Sequence, residues 1–142
     1  MRVVLDTNVF VSGIFFGGKP GRLLELWRDG HFELVTTRAI HGEYSETAAA
    51  MHARYPQTDP APFLDGVRRL ALFLVPFALS EPVCADPDDD MFVAAALVSG
   101  AGTIVCSGDA HLLAVSGFRG ICVLKPAQLL ALLVEQRAGP QR

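Results

Sequence analysis

Cysteine is scarce in this chain and odd in number: Cys84, Cys106 and Cys122 stand far apart, without close metal-ligand spacing. Two of them fall in apolar runs that read as strands, where a thiol serves as a small buried hydrophobe. The four histidines, His31, His41, His52 and His111, form no HxxxH-type pair, which argues against a zinc site. Every long apolar run is broken by charge or glycine, so nothing reads as a membrane span. Residues 1–16 are apolar but carry Asp6 and Asn8 where a signal peptide needs an unbroken stretch, and a cytoplasmic location is expected. Positive charge is also in short supply. A net charge of −3 argues against a general nucleic-acid binder, yet a centre built from acids lowers net charge while its cations restore local positive potential. Arg22, Arg28, Arg38, Arg54, Arg68 and Arg69 are candidate phosphate contacts, although each one alone reads more simply as a solvated helix residue.

What is present is apolar and alternating. The chain has 142 residues, 51% hydrophobic and 19% charged, which suits one domain with helices over a buried sheet. Short apolar runs at residues 2–5, 32–35, 73–75, 103–106 and 121–124 read as strands. Helical spacing appears at 22–29, 38–54, 61–72, 91–99 and 110–115, and again from Pro126 to about 136. Residues 17–21 and 55–62, rich in glycine and proline, read as loops. The alternation predicts an α/β fold: a single α/β/α domain over residues 1–137 with a central parallel sheet of four to five strands. Residues 138–142 are expected to be a flexible C-terminal tail.

Acids punctuate the ends of these runs. Asp6 ends Val3-Val4-Leu5, Glu43 lies in the helix after the second strand, Asp86-Pro87-Asp88-Asp89-Asp90 precedes a new helix, and Asp109 follows Thr103-Ile104-Val105-Cys106. In open α/β sheets ligands bind outside the carboxyl ends of the strands, so these acids can converge on one crevice. Carboxylates gathered closely repel and call for a cation. Helix capping accounts for one aspartate of the 86–90 block but not for four acids in five residues. Asp6 has apolar residues on both sides, and a buried aspartate must be paired, hydrogen-bonded or metal-bound.

The order of these motifs resembles that of PIN-domain proteins. Asp6-Thr7-Asn8-Val9 with Ser12 and the loop Gly17-Gly18-Lys19-Pro20 is similar to their opening, and Thr37 with Glu43 to their second motif. Asp86 to Val93 with Ala96 resembles the third, and Ser107-Gly108-Asp109 with Leu112-Leu113 the fourth. The likeness extends in order to Pro126-Ala127-Gln128-Leu129-Leu130, and the nearest subgroup is the VapC-like ribonucleases, toxin components of bacterial toxin–antitoxin systems.

The resemblance implies that Asp6, Glu43, Asp89 and Asp109 are catalytic and hold Mg²⁺ or Mn²⁺. Asp89 is preferred to Asp90 because Phe92 and Ala96 then fall at the family's offsets. Asp86 matches a recurrent acid with an auxiliary role, and Asp90 is grouped with it. Asn8, Ser12 and Ser107 are implied to position the metal-holding acids. His111 departs from the subgroup, where a second acid is common, which weakens a metal role at that position. The implied reaction is hydrolysis of single-stranded RNA, leaving a 5′-phosphate and a 3′-hydroxyl. The implied partners are RNA, a cognate antitoxin and a second copy of the chain, with no membrane; Leu23, Leu24 and Trp27 offer an apolar face for a protein partner or for the domain's own packing. Three other readings compete. One is a PIN-fold binding protein with little catalysis. A haloacid-dehalogenase-like phosphatase needs an acid at position 8, where Asn8 stands. A receiver domain is suggested by Lys125-Pro126 but needs a phosphoacceptor after the third strand, where Pro76-Phe77 stand.

Overall fold

The computed structural model describes residues 1–137; the expected tail at 138–142 lies outside them. Five parallel strands form one sheet: β1 (Arg2–Leu5), β2 (Glu33–Thr36), β3 (Leu72–Phe73), β4 (Ile104–Cys106) and β5 (Cys122–Leu124). Their spatial order is β3-β2-β1-β4-β5, so β1 and β4 are central neighbours although about a hundred residues separate them. Val3, Val4 and Leu5 in β1 and Val105 and Cys106 in β4 are fully buried, as a parallel sheet covered on both faces requires.

Among the described residues seven α-helices connect and cover the strands: α1 (Thr7–Phe16), α2 (Gly18–Arg28), α3 (Arg38–Arg54), α4 (Ala61–Leu70), α5 (Asp90–Ser99), α6 (Ala110–Leu113) and α7 (Pro126–Arg137). The chain steps outward from β1 to β2 to β3, then crosses back to β4 and on to β5. Right-handed crossovers therefore place α1–α4 on one face and α5 and α6 on the other. In agreement, α1 packs on α2 and α3, α2 meets α7, and α5 lies across β1, β2 and β4.

Helix α1 was not legible as a helix. Its apolar residues surround it, and Thr7, Val9, Phe10, Val11, Gly13 and Ile14 are all buried, so no one-sided period appears. The expected loop at 17–21 shrinks to one residue. Gly17, with φ +70°, turns the chain sharply between α1 and α2, a conformation glycine adopts without steric cost. The third strand sits slightly earlier than its apolar run: Leu74 still donates its N–H to the Thr36 carbonyl at 2.9 Å, but Val75 is 88% exposed as the chain leaves the sheet. Leu23, Leu24 and Trp27 are buried in the domain's own core and offer no docking face.

The α1–α2 corner is closely packed. A Cβ on Gly13 would lie 2.7 Å from Leu24 Cδ1 and 2.9 Å from the Pro20 carbonyl oxygen. Backbone cannot yield as a side-chain tip can, so Gly13→Val is expected to cost about 1–3 kcal/mol in urea denaturation. Gly42→Ala is the control: its Cβ meets nothing within 4 Å, and alanine is expected to stabilise α3 by up to about 1 kcal/mol.

Candidate metal centre

The order of strands sets the site. The chain leaves β1 toward β2 on one side, while β4 lies on the other, so the carboxyl ends of β1 and β4 flank a topological switch point. Asp6 and Ser107 are the first residues past those ends. The Asp6 N–H donates to the Cys106 carbonyl at 3.0 Å and the Ser107 N–H to the Leu124 carbonyl at 3.0 Å, which carries the sheet's pairing right up to the site.

Asp6 is only 4% exposed, and both its carboxylate oxygens are engaged. Oδ1 accepts the Val9 N–H at 2.8 Å, making Asp6 the N-cap of α1, and Oδ2 accepts the Ser107 hydroxyl. Ser107 Oγ in turn accepts the Asp109 N–H at 2.9 Å, so one hydroxyl joins the two acidic strand ends. Burial raises the Asp6 pKa; the Ser107 and Val9 hydrogen bonds oppose the rise, and the Asp109 and Glu43 charges add to it.

Glu43 arrives on α3, whose start is fixed by Thr37 capping the Ile40 N–H at 3.2 Å. The Thr7 hydroxyl donates to Glu43 Oε1 at 2.6 Å. The next residue, Tyr44, is fully buried, stacks on Phe10 with ring centroids 4.2 Å apart, and donates its hydroxyl to the Leu5 carbonyl. Burial above all holds the Tyr44 phenol well above its ordinary pKa, so it stays a donor. Helix α3 is thereby fastened to the end of β1, with Glu43 and Asp6 side by side.

The 86–90 block divides its work. Asp86 caps a short 3₁₀ turn, accepting the Asp88 N–H at 3.0 Å, and Asp88 is exposed. Asp89 faces Asp109 and is pushed up to about 7, by burial first, then by the hydrogen bond and charge of Asp109 and the charge of Asp86, with His111 opposing. Asp90 points back instead: its carboxylate accepts the Val83 N–H at 3.1 Å and the Cys84 N–H at 2.7 Å. That bond fixes the segment before the block and gives Asp90 a local structural task.

Asp6, Thr7, Asn8, Glu43, Asp86, Asp89, Asp109 and His111, with Phe92, line a cleft of about 270 Å³. All four principal acids expected from the sequence are there, with Asp86 beside them. Asn8 and Ser12 line an adjoining cleft of about 420 Å³ that shares Asp6 and Asp109. A larger groove of about 760 Å³ between the 77–83 segment and Phe118–Arg119 holds no comparable cluster of titratable groups, so the chemistry points to the smaller clefts.

A family model described as PIN domain matches residues 2–111. The chain belongs to the PIN-domain family. The matched span contains every acid lining the cleft, and PIN domains are generally nucleases that use divalent metal. No curated protein matches the chain. In this PIN domain one donor atom each from Asp86, Asp89 and His111 lies within 4.8 Å of the others, a spacing able to hold a metal ion. His111, where the departure from the subgroup weakens a metal role, stands two residues past Asp109 on the first turn of α6. No helix among the described residues is long and apolar enough to cross a membrane.

The phosphate-contact expectation for the arginines fares differently. Arg22 pairs with Glu25 and Arg68 with Asp65, while Arg28 and Arg54 lie over the rings of Phe63 and Tyr55. No lysine or arginine lines either acidic cleft among the described residues.

A pH dependence follows for the metal-free protein. Asp89 rises from its ordinary 3.8 to about 7, so below pH 3.8 its proton is held in folded and unfolded chains alike. Between those values only the folded chain keeps it, and this stabilising contribution is lost as pH climbs through about 7. In EDTA, thermal denaturation is expected to show stability falling from pH 4 to 7.5, and Asp89→Asn is expected to flatten that fall.

Proposed function

We propose that the protein is a metal-dependent endoribonuclease that hydrolyses phosphodiester bonds of single-stranded RNA, with the domain running over residues 1–137. The observation that carries the reading is the convergence of Asp6, Glu43, Asp89 and Asp109, from four distant parts of a PIN domain, on one cleft. The donor set fits Mg²⁺ or Mn²⁺: oxygen ligands, part-buried and mutually repelling, which a cation would neutralise. A divalent cation, when bound, counters phosphate charge and acidifies water for attack at phosphorus.

The protein's own part is positioning. Asp6 is held from both sides by the Val9 N–H and the Ser107 hydroxyl, so its carboxylate has little freedom to turn. The Thr7 hydroxyl holds Glu43 by one hydrogen bond to Oε1. Ser107 sets the backbone at Asp109, and Asp86 supplements Asp89 at the rim. Asn8 and Ser12 line the adjoining cleft beside Asp6 and Asp109, which supports their role in positioning those acids.

Since neither cleft is lined by lysine or arginine among the described residues, an acidic surface faces a polyanion. Cations then serve binding as well as chemistry. RNA retention on the purified protein is expected to need Mg²⁺ or Mn²⁺ and to fall at least tenfold in EDTA, measured by fluorescence anisotropy.

The direct test is cleavage of a labelled single-stranded RNA. Wild type should cut it with Mg²⁺ or Mn²⁺, leaving 5′-phosphate ends, and Asp6→Asn or Asp109→Asn should reduce the rate by at least 10²-fold. Cleavage at equal rate in Asp6→Asn would overturn the assignment. RNA binding without cutting would favour a binding protein of the same fold, and phosphate release from monoesters alone a phosphatase. The resemblance to toxin–antitoxin toxins supports a toxin role, with an antitoxin as partner and a dimer as the working form. Growth arrest on expression, relieved by the product of a neighbouring gene, is the expected outcome.

A further inference from the structure

We propose that His111 supplies an imidazole nitrogen which, with Asp86 and Asp89, forms a mixed nitrogen–oxygen subsite taking a first-row transition ion in preference to Mg²⁺. This deepens the metal-centre reading and rests on it. His111 Nδ1 lies 3.9 Å from Asp89 Oδ2 and 3.8 Å from Asp109 Oδ2. Those separations are too long for hydrogen bonds. They fall between the separations of donors around one ion: with ligands about 2.1 Å from the metal, neighbouring donors stand about 3.0 Å apart and opposite ones about 4.2 Å. Asp86 completes a set whose three donor atoms all fall within 4.8 Å, so closure around an ion asks for shifts of under about an ångström.

The ring is well placed to rearrange. His111 is exposed, at the rim of the cleft, on the first turn of a four-residue helix whose preceding residue is Asp109. One ion seated here would therefore be joined through Asp89 and Asp109 to the acids deeper in the cleft. Nitrogen is the element that alters selectivity. Magnesium prefers all-oxygen surroundings with near-ideal octahedral geometry, whereas imidazole favours borderline transition ions. An aspartate at position 111 would give an all-oxygen site and remove that bias.

The test titrates metal-free protein with Mn²⁺ alone and with Mg²⁺ alone, by calorimetry, in wild type, His111→Asp and His111→Gln. Wild type is expected to bind Mn²⁺ the more tightly, and His111→Asp to lower the Mn²⁺-over-Mg²⁺ affinity ratio by about tenfold or more. Pulsed electron paramagnetic resonance of the Mn²⁺ form should show coupling to an imidazole nitrogen in wild type and none in His111→Gln. An unchanged affinity ratio, or no nitrogen coupling, overturns the inference. If Mn²⁺ still binds in that case and binding is lost in Asp6→Asn, the carboxylate centre of the proposed function stands without His111. If neither ion binds wild type, both fall together.

Discussion

The hydrogen bond from Ser107 to Asp6 is the closure on which the centre depends. It joins the carboxyl ends of β1 and β4, residues separated by 101 positions in the chain. A parallel pair cannot be joined by a tight turn, so it requires a long crossover; here the crossover carries β2, β3 and five helices before β4 docks. Asp6 also caps α1, and Ser107 also receives the Asp109 N–H. One buried serine thus sets the relative position of two acids that would otherwise drift apart under their own repulsion.

A second fastening works on the other side. Tyr44 stacks on Phe10 and hydrogen-bonds the Leu5 carbonyl, so the residue beside Glu43 is anchored in the core. The aromatic pair contributes apolar burial, and its hydroxyl satisfies a carbonyl that would cost about 1–3 kcal/mol if left unpaired. Charge is concentrated by this rigidity. Burial and neighbouring carboxylates raise Asp6 and Asp89 together, so the stable packing of the fold maintains an electrostatically unfavourable cleft.

Much of this was legible in the sequence for physical reasons. Short β-branched runs ending in acids marked β1 and β4, and strand ends are where an α/β sheet exposes ligands. What escaped was set by tertiary context. Helix α1 is buried on nearly every side and so shows no amphipathic stripe. Gly18-Lys19-Pro20-Gly21 reads locally as a loop but begins α2, because Gly17 and Gly18, both at positive φ, make the turn between them. The strand expected at 73–75 ends at Phe73, where the edge loses its partner. Within the 86–90 block, only the family's offsets to Phe92 and Ala96 favour Asp89 over Asp90; the physical difference is that Asp89 faces Asp109 and Asp90 the amides of Val83 and Cys84.

That last difference reaches beyond assignment. Asp89 and Asp90 are adjacent, one turned to the cleft and the other to the amides of Val83 and Cys84. Around a helix one residue is a rotation of about 100°. Because residues 88, 89 and 90 are all aspartate, a one-residue deletion there would leave aspartates in both of these phases ahead of Met91 and would shorten only the link back to Asp86. The repeated aspartate thus buffers the two faces against a slip of one residue, and what such a slip would alter is the reach from Asp86 to Asp89.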